Sequence, residues 1–299
     1  MLGCMSNAVA ENVLTIRRHY DRLFDLLGRG ESFDSEEYKK RPPIVNMGYW
    51  LPDAQTARQA QEQFVRELAA RVPDWKDKRV VDVGCGLGGP ATILACDFGA
   101  DVVGVNIVER QVEWARRYAE GNGISHKVRI QLGSAMDLPF PDAEFDVLFC
   151  LEAAHCFADK RSFLKHGHRV LRQGAKLLLA DIVGTVHLPF VNWQPALKLN
   201  LVTAEDWQRM LEAEGFVIEE KRMVGDAVYP GCRWWAAKMA AEKRKAIFGK
   251  LCRPDASPIR RKWTMLRAWF MELLYCRSVL LTLSRLKLRD FVLITAHKA

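Results

Sequence analysis

Residues 80–89 read VVDVGCGLGG. Three β-branched apolar residues, Val80, Val81 and Val83, enclose one acid, Asp82. Gly84, Gly86, Gly88 and Gly89 then arrive almost every second position, and ATILACDFG follows as an apolar helix pattern. The expected local structure is a buried parallel strand that runs through a tight turn into a helix. Glycine has no Cβ and tolerates positive φ, so a ligand can lie against such a backbone. A Cβ at Gly84 is expected to collide with that ligand or to strain the turn. The first amides of the helix suit an anionic group.

The alternation continues outward. RVVDVG, DVVGVN, KVRIQL, FDVLFC and KLLLADIV read as strands, with ATILACDFG, ERQVEWARRYAEG and KRSFLKHGHRVLR as helices between most of them. This order predicts a parallel sheet covered on both faces, with right-handed crossovers. TAEDWQRMLEAEG follows, with Thr203 as N-cap and Gly215 as the stop. FVIEEKRMV is the sixth strand and RDFVLITAHK the seventh. The fold class is therefore α/β, a Rossmann-like seven-stranded, mostly parallel sheet. Residues 10–28 and 55–72 read as amphipathic helices, so 1–75 forms an N-terminal helical lid. The core is expected over 76–229, with its last strand at 289–299. Between them, 230–288 carries Trp234, Trp235, Trp263 and Trp269 and reads as a helical insertion. Beside the strand ends, where α/β sheets bind ligands, it is expected to cap a substrate. A homodimer surface is the other reading of this segment.

A chain of 299 residues is long enough for one elaborated domain or a domain plus a cap. Its eight cysteines are scattered without a CxxC, as buried thiols of a reducing, cytoplasmic compartment are. MLGCMSNAVAENV has neither a basic nor an apolar region of the kind a secretory signal needs. No uncharged apolar run reaches about 18 residues, so no membrane span is expected. Charge is uneven: residues 221–289 hold 17 Lys or Arg against four acids, leaving −5 for the rest of a chain whose total is +8. Such a region attracts an anionic partner or is a solvated face. Within it, MELLYCRSVLLTLSRLKLR mixes apolar residues with Arg as interfacial helices do, so membrane-surface contact through the basic C-terminal helices is one expectation.

The turn from Asp82 to Gly88, DxGxGxG, resembles the first motif of the class I S-adenosylmethionine (SAM) methyltransferases. By that resemblance Asp82, Gly84, Cys85 and Gly86 lie under the amino-acid end of SAM. The family usually ends its second strand in an acid that accepts the ribose hydroxyls. Asn106 stands there, and its amide can accept one bond and donate another. Gln111 resembles a polar residue that faces the ribose. GSAMDLPFPDAEFD resembles the family's GDAxxLPFxDxSFD, with Ser134 where the family has Asp. Adenine recognition then falls to Ser134 or to backbone near Ala135. Leu151 and Glu152, ending the fourth strand, face the methyl-bearing side. VNMGYW, LEAAHCF, VLRQGAKLLLADIV and LRDFVLITAHKA further resemble bacterial natural-product O-methyltransferases of the macrolide-sugar, erythromycin-pathway type. That resemblance spans about residues 45–299. It sets Tyr49 at an entrance that closes over SAM, with Tyr20 in the same lid.

Transfer of a sulfonium methyl is an in-line displacement, so orienting the acceptor contributes about 7–11 kcal/mol. A hydroxyl acceptor also gains from a general base, about 10²–10⁴-fold. His155 lies just beyond the fourth strand and Asp181 closes the fifth, an imidazole and a carboxylate able to orient it. Relatives of this kind carry His at the position of His155. No metal site is expected. The expected activity is SAM-dependent methylation of a hydroxyl on a bulky, mostly apolar acceptor: a polyketide, its sugar or a lipid alcohol. Two readings compete. A carbon methyltransferase of a prenyl diphosphate would hold the diphosphate on the basic cap, with Glu152 as the base. A membrane or nucleic-acid module would use the basic region directly. No single-strand stacking platform is present, so nucleic acid is not an expected partner.

Overall fold

The computed structural model describes residues 13–21, 24–25, 42–53, 56–184, 200–251, 266 and 291–299. Seven strands, β1 (Arg79–Val83), β2 (Asp101–Asn106), β3 (Val128–Leu132), β4 (Phe145–Leu151), β5 (Leu171–Ile182), β6 (Phe216–Met223) and β7 (Phe291–Lys298), form one sheet. Its order is β3-β2-β1-β4-β5-β7-β6. β7 runs antiparallel to β5 and β6, and the other pairs are parallel. From β1 the chain winds to the β3 edge, then returns to β4 and winds the other way. The carboxyl ends of β1 and β4 therefore flank the reversal point, where such sheets form a crevice.

A helix over residues 13–21 is followed by six others: α1 (Ala57–Ala69), α2 (Gly89–Cys96), α3 (Glu109–Gly121), α4 (Lys160–Val170), α5 (Ala204–Ala213) and α6 (Gly225–Leu251). Thr56 with Gln59, and Thr203 with Asp206, close reciprocal caps at the starts of α1 and α5. Gly215 ends the latter turn at φ 85°. The strand residues alternate between two apolar layers. Val80 packs with Phe64, Leu68 and Ile93 on one face, while Val81 and Val83 pack with Leu148, Phe163 and Trp207 on the other. This two-sided burial is why the strands read as continuous apolar runs.

Three boundaries differ from expectation. KRSFLKHGHRVLR is helical only to Val170, because Leu171 already pairs with Phe145. The register then slips before Val147 pairs Lys176, and Gly174 takes φ 70° in the slipped stretch. α1 is shorter than 55–72 at both ends. The helix of the insertion starts at Gly225, directly after β6, and runs to Leu251. Residues 13–21 and 24–25 are helical; the rest of the 10–28 prediction lies outside the described residues, as do Trp263, Trp269 and MELLYCRSVLLTLSRLKLR. Among the described residues no helix is long and apolar enough to cross a membrane. Cys85, Cys150, Cys156 and Cys232 are buried free thiols, whereas Cys96 is exposed.

Candidate active site

A cleft of about 1020 Å³, counted to its open mouth, lies over the carboxyl ends of β1, β2 and β4. Its floor is the glycine turn. Gly84 N–H and Cys85 N–H donate to Val105 O at 2.8 and 3.1 Å, tying the turn to β2. At Gly84, φ is 82° and a Cβ would sit 2.3 Å from the Ala153 Cβ. The expected collision with a ligand is thus a collision with the protein: Gly84 lets the turn nest against the end of β4. Gly86 is the residue that leaves the wall open. It has φ 56°, lines the cleft, and a Cβ there would meet nothing within 4 Å.

Asp82 is not in the cleft. It is 2% exposed beneath the turn. Burial pushes its carboxyl up to about 7, against a hydrogen bond from the Ala91 backbone that favours the charged form. Through that bond it braces the start of α2. Asn106 lines the cleft, but its amide is engaged. Nδ2 donates to Gly86 O at 3.1 Å and to Gln111 Oε1 at 2.7 Å, and Oδ1 accepts from Ile107 N–H at 2.8 Å. An amide carries a donor that a carboxylate lacks, and here that donor turns to the nearest carbonyl. Gln111 Nε2 is then the group this pair can offer to a hydroxyl. Ser134 Oγ accepts from Met136 N–H at 3.2 Å, which leaves its hydroxyl proton to donate. Ser134, Ala135 and Leu151 all line the cleft.

The two tyrosines part company. Tyr20 lines the cleft with Val13 and Ile16, a spacing of three and seven residues that puts all three on one helix face. Its hydroxyl meets Cys156 Sγ at 3.5 Å. Tyr49 does not close over the cleft. It is 9% exposed, packs on Phe64 at 5.9 Å, and its hydroxyl accepts from Arg222 Nη1 at 3.5 Å. Pro43, Ile44, Val45 and Asn46, just ahead of it, line the cleft in its place.

Glu152 has φ 49°, a left-handed backbone that a non-glycine residue adopts at a cost. The structure around it fixes that geometry. Its N–H donates to Ala180 O at 2.7 Å, and both carboxylate oxygens accept from Met47 N–H at 3.0 Å. Burial pushes its carboxyl up to about 8.

His155 sits on a 3₁₀ turn, Ala154–Cys156, between the cleft-lining Ala153 and Cys156. Its Nδ1 faces Asp181 Oδ1 at 2.6 Å. The Asp181 side chain is 1% exposed against 15% for His155. Oδ1 also accepts from Ile182 N–H at 2.8 Å, which fixes the carboxylate. Burial alone would hold the imidazole down. The negative charges of Cys156 and Asp181, with hydrogen bonds to both, overcome it and raise His155 well above its ordinary value. Among the described residues no three His, Cys, Asp or Glu side chains gather as metal donors.

The roles of Asn46, Met47 and Cys156 were not legible in the sequence. The Val13, Ile16, Tyr20 stripe was a usable signal for the cleft-facing helix. Nothing in the pattern marks Met47, whose contribution is a backbone N–H.

The methyltransferase domain model matches residues 81–179. An O-methyltransferase of Penicillium expansum is 31% identical over 200 residues, which span 65% of this chain and 72% of that protein. The erythromycin 3''-O-methyltransferase of Saccharopolyspora erythraea is 29% identical over 234 residues, 73% of this chain and 76% of that protein. Among solved structures, the [4+2]-cyclase SpnF matches with a TM-score of 0.69 at 24% identity, over 95% of this chain and 94% of that one. At that identity the likeness speaks for the fold alone, since one fold hosts unrelated chemistry.

Proposed function

The chain belongs to the class I SAM-dependent methyltransferase family, among its O-methyltransferases, and on that premise we propose that it binds SAM in the cleft and methylates a hydroxyl of a bulky, mostly apolar small molecule. A polyketide, its sugar or a lipid alcohol is the acceptor class. The observation that carries the reading is the His155–Asp181 pair, 2.6 Å apart, with His155 on the turn between the cleft-lining Ala153 and Cys156, although neither member of the pair itself lines the cleft.

The cleft fits the cofactor: Gly86 leaves its wall open, and Gln111 and Ser134 keep a donor each at its rim. Once bound, the sulfonium supplies an electrophilic methyl group. Everything else falls to the chain. With Nδ1 turned to Asp181, His155 Nε2 is the nitrogen that takes the hydroxyl proton of the acceptor, which must first displace the Cys156 side chain that hydrogen-bonds the ring. Asp181 holds the ring in that orientation and stabilises the imidazolium that forms. Ile16, Ile44, Leu87 and Phe157 keep the cleft apolar, which strengthens each charge interaction within it. On this reading 1–75 closes the entrance, 76–229 with 289–299 carries the cofactor, and 230–288 faces the acceptor. The enzyme works in the cytoplasm, and the basic 221–289 region is its candidate surface for a membrane or a second copy.

The test is SAM turnover on a panel of macrolide, polyketide and long-chain alcohols, read as S-adenosylhomocysteine release. His155→Ala is expected to keep SAM affinity within about threefold and to lose about 10²-fold or more in turnover. Wild-type turnover by His155→Ala, with chemistry rate-limiting, overturns the reading. Activity only on prenyl diphosphates, with Mg²⁺ required and Glu152→Gln inactive, gives the site to carbon methylation instead.

A further inference from the structure

Lys160 is 4% exposed, although a lysine is almost never buried this deeply without a partner. It opens α4 just after the N-cap Asp159, a place where a lysine normally reaches water. Here the side chain turns inward, with Nζ 5.8 Å from the ring centre of the fully buried Trp207. Nζ donates to Asn200 O and, at 3.4 Å, to Phe157 O. Asn200 answers on the same loop. Its N–H donates to His155 O at 2.9 Å, and Nδ2 donates to Phe157 O and Ala158 O at 3.0 Å each. One ammonium and one amide thus clasp the turn that carries His155.

The bonds alone do not explain the charge. A neutral donor could make bonds to two carbonyls, and an ammonium is expensive to bury. Burial does press on the group, lowering it to about 8, while the nearby Asp181 carboxylate opposes that. Asp181 Oδ2 is buried without a hydrogen-bond partner. The groups around the dyad come from every neighbouring element: Tyr20 from the N-terminal helix, Cys150 and Glu152 from β4 and its end, Cys156 from the 3₁₀ turn, Asp181 from β5. Lys160 is the cation among these described groups.

We propose that Lys160 is a positioning residue for methyl transfer, which clasps the His155 turn through Asn200 and uses its buried charge to balance the Asp181 side of the dyad. The proposal rests on the reading of His155 as the base, but its first test needs no acceptor. The His155 ring is titrated by NMR in the cofactor-free wild type, Lys160→Met and Lys160→Arg. Loss of a nearby positive charge stabilises an imidazolium, so Lys160→Met is expected to move the His155 midpoint upward by about half a pH unit or more. Lys160→Arg is expected to restore it. With an acceptor in hand, Lys160→Met loses about tenfold or more in kcat at pH 7, with SAM affinity within about threefold. An unchanged His155 midpoint in folded Lys160→Met overturns the proposal. Should Lys160→Met fail to fold, Lys160→Gln decides: it offers a neutral donor toward Asn200 O and Phe157 O without the charge, and an unchanged His155 midpoint in that variant also overturns it. If no alcohol is methylated yet the midpoint moves, the hydroxyl-transfer reading fails and the coupling of Lys160 to His155 stands.

Discussion

Gly84 and Gly86 sit two residues apart with left-handed backbones, yet alanine at each should fail in a different way. At Gly86 the penalty is conformational. An L-residue in this region costs about 1–2 kcal/mol, and the new Cβ meets no atom within 4 Å. Gly86→Ala should therefore fold, with stability lower by about 1–2 kcal/mol. Its methyl group, however, enters the open wall of the cleft. We expect SAM affinity to fall about tenfold or more, equivalent to about 1.4 kcal/mol. Gly84→Ala carries the same backbone cost plus a clash, since its Cβ lies 2.3 Å from the Ala153 Cβ. Carbon atoms rest about 3.5–4.0 Å apart, so Ala153 must retreat by more than an ångström beside the strained Glu152. Overpacking of this kind costs about 1–3 kcal/mol. The total, about 2–5 kcal/mol, is a large share of the usual stability of a domain. Urea unfolding followed by circular dichroism gives the first quantity, and isothermal calorimetry with SAM gives the second. Wild-type SAM affinity in Gly86→Ala refutes the assignment of the open wall. A Gly84→Ala stability loss no larger than that of Gly86→Ala refutes the steric argument.

Other outcomes follow from the same geometry. For a base that must be neutral, the raised His155 pKa means kcat/KM climbs with pH through a midpoint above the ordinary histidine range; Asp181→Asn should lower that midpoint as well as the plateau, and a pH profile with no such movement removes Asp181 from the role. Glu152 is raised to about 8 by burial, so its folded form holds a proton that the unfolded chain has released; stability should fall as pH rises from about 5 to 8. Glu152→Gln should flatten that fall, and parallel melting curves for the two proteins across the window count against it. Trp235 Nε1 donates to Asn46 O at 2.8 Å, and Asn46 lines the cleft; Trp235→Ala should therefore weaken SAM binding about two- to tenfold, the value of one hydrogen bond. Calorimetry showing equal SAM affinity would separate α6 from the cleft and return Trp235 to the acceptor alone.

The parallel core was legible because its information is local. VVDVGCGLGG joins a two-face-buried strand to a glycine turn and a helix, and each feature has a short-range physical cause. Thr203 and Gly215 likewise announce a helix start and stop through groups within a few residues. His155 and Asp181 could be paired because neighbouring parallel strands bring their carboxyl ends together once the topology is assumed. What the tertiary structure alone decided is the use of each polar atom. Asn106 was open to a ligand in one dimension, yet in space its donor meets Gly86 O and Gln111. Tyr49 looked like a lid, but Arg222, far along the chain, meets its hydroxyl and the ring packs in the core. Lys160 reads as a solvated first-turn residue until Asn200 O and the Trp207 ring are placed over it. Residue type and period fix which faces are buried, because burial is non-directional and averages over many contacts. A hydrogen bond depends on about an ångström of distance and a narrow angle between groups distant in sequence, so its partner is chosen only when the sheet, the helices and the entrance segment have packed.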